Sequence, residues 1–198
     1  MTMSRDLSFG RWRTVDIVLA AVLAVAFGAV FQAWNLLWVA LLPAFVAVPP
    51  VQGFMYGVWL LPAVVVPLII RRPGAALLGE AVAAVASALF GAPWGLLIIA
   101  YGLMQGGAAE LVFAMTLYHR WGIGTALLAG AAAGAAAVLL DLALYYSNWA
   151  TGFQALYAAL VIPSAAIVAG LGGWLLVRAL GRTGVLSAFP AGREQREV

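Results

Sequence analysis

The sequence predicts an all-α polytopic membrane protein. It should form a six-helix transmembrane bundle with a short extra segment on its outer side and both termini cytoplasmic. Three observations predict this. Of the 198 residues, 66% are hydrophobic and 9% charged, with a mean hydropathy of +1.06; a soluble domain of this length cannot hide so much apolar side chain. Apolar runs of membrane-crossing length recur along nearly the whole chain. The arginines fall on one side when the chain is threaded as six spans.

Residues 1–14 form a polar N-terminal segment with Arg5, Arg11 and Arg13 ahead of the first apolar run. Ala24-Val25-Ala26 loosely resembles a signal-peptidase site, but the run continues to Phe31 and more spans follow. Residues 15–33 are therefore read as the first span. The run 36–48 is too short to cross and contains Pro43 before Pro49-Pro50. Segment 34–51 is expected as an outer cap or re-entrant piece. Further spans are expected at 52–70, 74–90, 94–118, 122–146 and 155–179. This threading places Arg71-Arg72, Arg120, Arg178, Arg182, Arg193 and Arg196 inside with the N-terminal arginines. The outer connections near 34–51, 91–93 and 147–153 carry no basic residue. If 36–48 crossed, Arg71 and Arg72 would land outside, against the positive-inside rule. Trp34, Trp38, Trp94 and Trp149 lie near the outer interface, and Trp12 and Trp121 near the inner one. The membrane domain thus covers 15–180, and 181–198 is expected as a loose cytoplasmic tail.

Composition excludes several functions. There is no cysteine, so disulfides and thiolate chemistry are absent. All ten basic residues are arginine, so neither a P-loop lysine nor a Schiff-base lysine exists. One histidine, His119, cannot build a multi-histidine metal site or a haem pair. No G-x-S-x-G or H-E-x-x-H motif occurs. Neither enzymatic chemistry nor a cofactor is expected. The modest net charge of +3 sits beside the spans, which suits anionic lipid rather than nucleic acid.

The informative residues are acids inside the spans: Glu80, Glu110 and Asp141, with Gln105 between them in depth. No Arg, Lys or His lies at comparable depth. An acid at a helix centre costs about 2.5–3.5 kcal/mol on insertion scales, so three of them need a reason. They are protonated and hydrogen-bonded, wet near an interface, or counter-charges for a cationic ligand.

Helical spacing gives faces. Asp141, Tyr145 and Trp149 are four apart, with Asn148 three beyond Tyr145. Trp94, Tyr101 and Gln105 share a second face. Glu110 is rotated by about 140° from Gln105 in an ideal helix unless Gly106-Gly107 bends it. Tyr56 and Trp59 lie three apart, with Gln52 four before Tyr56. The candidate ligand-binding residues are Trp34, Tyr56, Trp59, Glu80, Trp94, Tyr101, Gln105, Glu110, Asp141, Tyr145 and Asn148. Glu80 and Glu110 can equally be structural. Such an aromatic pocket suits a flat cationic heterocycle, by stacking, cation–π attraction and a carboxylate counter-charge. Ala20, Ala24 and Gly28 form a small-xxx-small ridge, which serves either packing within the bundle or docking of another membrane subunit. Gly130 and Gly134 form a similar one.

The run RRPGAALLGEAVAAVASALFGAPWGLLIIAYGLMQGGAAELVFA at 71–114, with YGVW at 56–59 and Asp141, resembles the S components of energy-coupling factor (ECF) transporters, and among them the YkoE type linked to thiamine and hydroxymethylpyrimidine. The resemblance covers roughly 15–180. It implies a six-helix substrate-binding subunit in a bacterial cytoplasmic membrane, with the site toward the outer face. It implies partnership with a transmembrane coupling protein and two ATPase subunits, which explains the missing lysine. By the same resemblance, Ala20, Ala24 and Gly28 are the coupling-protein contact, and 34–51 is the natural lid. Two alternatives stand beside it: an S component for a different cationic small molecule, and a non-transport membrane assembly protein whose acids tie helices together.

Overall fold

The computed structural model describes residues 12–194, which are almost entirely helical. Helix α1 spans Thr14–Leu41. At its start the Asp16 carboxylate accepts the Arg13 backbone N–H at 3.0 Å and the Arg13 guanidinium at 2.7 Å, tying down the first turn. Its buried positions are Asp16, Ala20, Ala24, Gly28, Phe31 and Asn35, one narrow stripe at helical spacing. The remaining faces are apolar yet exposed, as for Val18, Val22 and Leu36, which is what a lipid-facing helix presents. The expected break near residue 34 does not occur. Helix α1 runs on through Trp34, and a short 3-10 turn, Leu42–Phe45, follows where Pro43 removes a backbone donor.

The second pass begins as a twelve-residue 3-10 helix, Pro49–Leu60, and becomes helix α2 at Leu61–Ile70. Prolines at 49, 50 and 62 withhold backbone donors and favour this tight winding. Several backbone groups of this pass find side-chain partners instead of a place in the helical ladder. Ser164 accepts the Gly57 N–H at 3.2 Å and donates to the Phe54 carbonyl at 2.6 Å. The Glu80 carboxylate accepts the Ala63 N–H at 2.9 Å. Every residue from Pro62 to Ile70 is buried, so α2 is the central post of the bundle. That matches an all-round apolar sequence, LPAVVVPLII.

Helix α3 (Ala75–Leu89), α4 (Leu97–Met115) and α5 (Ile123–Leu144) follow in alternating direction. Helix α6 (Thr151–Ser164) contains Pro163 and widens into a π-helical stretch, Ala165–Gly172, before α7 (Gly173–Arg182). The widening follows the position where proline interrupts the hydrogen-bond ladder. Gly130 accommodates this region: a Cβ there would sit 2.5 Å from the Ala165 carbonyl oxygen. A short helix, α8 (Pro190–Glu194), closes the described chain.

Five segments are long and apolar enough to cross a membrane: Thr14–Phe45, Pro49–Ile70, Leu97–Met115, Ile123–Leu144 and Thr151–Arg182. Helix α3, at 15 residues, is shorter. Arginines gather at one end of the bundle. There Arg72 lies 3.6 Å from Asp16, Arg71 sits 5.9 Å from the Trp121 ring centroid, and the Trp12 indole donates to the Pro73 carbonyl. The tail is not loose over its described part. Leu186, Phe189 and Ala191 are buried with the lower end of α2, because α7 amphipathicity leaves an apolar seam there to cover. Residues 195–198 lie outside the described region, as do 1–11.

Candidate ligand-binding cavity

A cavity of about 190 Å³ opens between α1, the Pro49–Leu60 segment, α3, α4, α5 and α6. Its walls are built from the end opposite the arginines inward. Trp38 and Trp94 stand at that end with ring centroids 5.2 Å apart. Trp59 meets Trp94 edge-on at 5.8 Å and Tyr56 at 5.5 Å. Tight 3-10 winding brings residues three apart into register, so Tyr56 and Trp59 form one row on the wall. The Trp59 indole is fixed by donating to the Asn35 side-chain oxygen at 2.8 Å, and Asn35 is buried on α1. Gln52 donates to the Tyr146 hydroxyl at 3.2 Å, and Tyr146 packs against Tyr157 at 5.2 Å.

Two buried carboxylates lie in the lining, and they differ in partners. Asp141 accepts short hydrogen bonds from the Tyr101 hydroxyl at 2.7 Å and the Tyr157 hydroxyl at 2.6 Å. Those bonds satisfy much of its acceptor capacity and lock both phenols in place. Glu80, on α3, is held by the Ala63 amide and lines the cavity beside α4. Its position depends on two glycines of α4. A Cβ at Gly106 would fall 2.9 Å from the Glu80 Cβ, and one at Gly102 would fall 2.7 Å from the Ala84 Cβ. Only a bare backbone lets α3 and α4 close to this distance. Between those glycines sits Gln105, 4% exposed and in the lining.

Of the sequence-derived candidates, Tyr56, Trp59, Glu80, Trp94, Tyr101, Gln105, Asp141 and Tyr145 all line the cavity. Three do not. The Trp34 indole donates to the Met55 carbonyl at 3.0 Å, because α1 continues past it and turns it toward the 3-10 segment. Asn148 is exposed, because α5 ends at Leu144 and helical spacing no longer applies beyond it. Glu110 lies at the arginine end. Its carboxylate accepts the backbone N–H groups of Gly74 at 2.6 Å and Ala76 at 2.9 Å, and the Tyr118 hydroxyl at 2.8 Å. It caps the first turn of α3 from a neighbouring helix, where a negative charge meets unpaired amides and the helix dipole. Burial pushes Tyr118 up to about 12, with the Glu110 hydrogen bond and charge adding to it, so this phenol stays a donor. Helix α4 is unbroken through Gly106-Gly107. Gly106 serves the approach to α3, while nothing lies within 4 Å of a Cβ at Gly107.

Of the two readings of the small-residue ridge, the described chain displays packing within the bundle. Ala20, Ala24 and Gly28 are buried, and a Cβ at Gly28 would lie 2.5 Å from that of Ala86. The ridge packs inside the bundle, with Gly28 against Ala86 of α3. Sequence reasoning left Trp38, Tyr146 and Tyr157 out of the site. Tyr157 carried a legible signal: a lone phenol inside the last apolar run, where it needs a hydrogen-bond partner.

Comparison with known proteins adds three findings. Residues 15–136 match the family model described as the ABC-type cobalt transport system, permease component. YkoE of Bacillus subtilis (strain 168), which is named as an HMP/thiamine permease protein, is 31% identical over 189 residues, covering 94% of this chain and 93% of its own. A crystal structure of an S component of an ECF transporter superposes with a TM-score of 0.90 at 30% identity, covering 94% of both chains.

Proposed function

Since the chain belongs to the S components of ECF transporters, we propose that it captures thiamine or its hydroxymethylpyrimidine precursor for import, in the aromatic cavity, from the outer side of a bacterial cytoplasmic membrane. The observation that carries this reading is the lining itself: tryptophan and tyrosine faces around two buried carboxylates, with no Arg or His among the lining residues. Aromatic faces attract a flat cation, and a carboxylate behind them supplies the counter-charge. Thiamine joins an aminopyrimidine to a cationic thiazolium and uses both features.

In this reading the arginine end is cytoplasmic, as the positive-inside rule requires, and the cavity mouth faces outward. Six passes cross the bilayer, with the short α3 spanning at the lower length limit. Segment 34–51, which begins as the end of α1, serves as the cover of the mouth. A transmembrane coupling protein and two ATPase subunits supply the energy, for this chain has no lysine to build a P-loop.

The family model carries the word cobalt, which raises a metal cargo as a second reading. Divalent cobalt favours imidazole and dense ligand sets. Among the described residues no cluster of three His, Cys, Asp or Glu side chains could hold a metal, and the cavity offers aromatic rings instead. The organic cation is therefore favoured over the metal.

The test is a tryptophan-fluorescence titration of the purified protein with thiamine and hydroxymethylpyrimidine. Saturable quenching at micromolar or lower concentration is expected, since Trp38, Trp59 and Trp94 line the cavity. No response to either compound at that concentration removes the assignment. A competition panel of other flat cations separates thiamine from a different cationic cargo.

A further inference from the structure

The polar groups of the cavity differ in how far they are already satisfied. Asp141 has its carboxylate engaged by two phenols. The Gln105 side-chain amide makes no hydrogen bond among the described residues, although it is only 4% exposed. Its donors and acceptor are not sealed off but open onto the cavity, where water or a ligand can fill them. Gln105 belongs to the cavity lining, and so does Glu80 on the facing helix. Gly102 and Gly106 flank Gln105 and bring the Glu80 helix against it. The chain thus maintains close, glycine-dependent packing around a polar pair that it leaves incompletely bonded.

We infer that Gln105, supported by Glu80, is the specificity-determining pole that reads a planar azine edge, a ring nitrogen beside an amino group, regardless of ligand charge, while the Asp141–tyrosine pole acts only on a cation. The amide geometry fits this edge. A glutamine carbonyl accepts from the amino group while its NH₂ donates to the neighbouring ring nitrogen, as glutamine does with the adenine edge. The Glu80 carboxyl is a further acceptor for the amino group's second hydrogen. Asp141 contributes instead through the ring faces of Tyr101 and Tyr157, whose hydroxyls it holds. A negative charge accepting those hydroxyls makes the rings more electron-rich, which favours a cation against them and gives little to a neutral ring.

This inference rests on the proposed function and assigns its two ligand halves to two poles. The experiment compares wild type, Gln105→Met and Asp141→Asn by calorimetric titration with three probes. These are thiamine, neutral hydroxymethylpyrimidine, and an N-methylated hydroxyethylthiazolium, which carries the cation without the pyrimidine. Loss of two hydrogen bonds predicts that Gln105→Met weakens thiamine and hydroxymethylpyrimidine alike, by about 10- to 100-fold. Its thermal midpoint and its thiazolium response should stay at the wild-type level, which establishes the fold. Asp141→Asn should weaken thiamine while leaving hydroxymethylpyrimidine within about twofold, the size of change that a neutral probe shows when only a cation-directed charge is removed. The inference is overturned if a folded Gln105→Met binds hydroxymethylpyrimidine like wild type, or if Asp141→Asn weakens both pyrimidines equally. If wild type itself binds neither pyrimidine, the functional reading fails and takes this inference with it.

Discussion

Replacing Glu110 by Gln should separate the structural acid from the cavity acids. The carboxylate accepts four hydrogen bonds: Gly74 N–H at 2.6 Å and Tyr118 O–H at 2.8 Å on one oxygen, Ala76 N–H at 2.9 Å and Leu77 N–H at 3.4 Å on the other. Glutamine keeps one oxygen and so keeps one pair. Its NH₂ then faces the two remaining amides, donor against donor, and the charge at the α3 N-terminus is gone. Two lost bonds to a charged acceptor and the lost dipole interaction together cost about 2–4 kcal/mol at this half-buried site. For a chain of this length each kcal/mol moves a thermal midpoint by about 2–4 °C. A drop of roughly 5–12 °C is therefore expected in detergent-solubilised protein followed by circular dichroism. Thiamine affinity measured well below the midpoint should change by less than about threefold, as Glu110 is outside the cavity lining. A midpoint that moves by less than about 2 °C refutes the capping role. Loss of binding with the midpoint retained would return Glu110 to the ligand site.

Three further outcomes follow from the same geometry. Gly57→Ala places a Cβ about 2.5 Å from both the Ser164 carbonyl oxygen and the Val168 Cβ. It should force the 3-10 segment off α6 and lower the thermal midpoint by an amount equivalent to about 2–3 kcal/mol, with weaker ligand binding because Tyr56 and Trp59 ride on that segment. Tyr118 is raised from about 10 in the unfolded chain to about 12 in the fold. Its contribution to stability is thus complete below about pH 10 and lost as pH rises toward 12, and Tyr118→Phe should remove that alkaline loss in a midpoint-versus-pH series. Ala24→Leu should destabilise the bundle by overpacking the α1–α3 contact, and its midpoint should fall even with no partner subunit present; an unchanged midpoint in the isolated protein would put that ridge back on the outside.

The helical passes were legible because lipid imposes a simple rule: long apolar runs with arginines gathered at one end. The boundary near residue 34 was not, because apolar residues continue beyond it and only Pro43 marks the stop. Asp141 and Tyr101 were legible as polar groups at depth, and eight of the candidates do line the cavity. Extending helical spacing past Leu144 misplaced Asn148, for spacing predicts a face only while the helix lasts. The role of Glu110 needed a contact between α4 and the start of α3, which no local pattern encodes. Likewise, a stripe of alanines and glycines has the same composition whether it packs inward or docks outward, and only tertiary contacts reveal that Ala20, Ala24 and Gly28 are buried in the chain, Gly28 against Ala86 of α3.

The most direct measurement is a structure of the protein determined with thiamine bound. Ligand density is expected in the cavity, with the aminopyrimidine edge within hydrogen-bond distance of the Gln105 amide and the thiazolium against the ring faces of Tyr101 and Tyr157. Density for thiamine at any other place, or an aminopyrimidine turned away from Gln105, would contradict this placement.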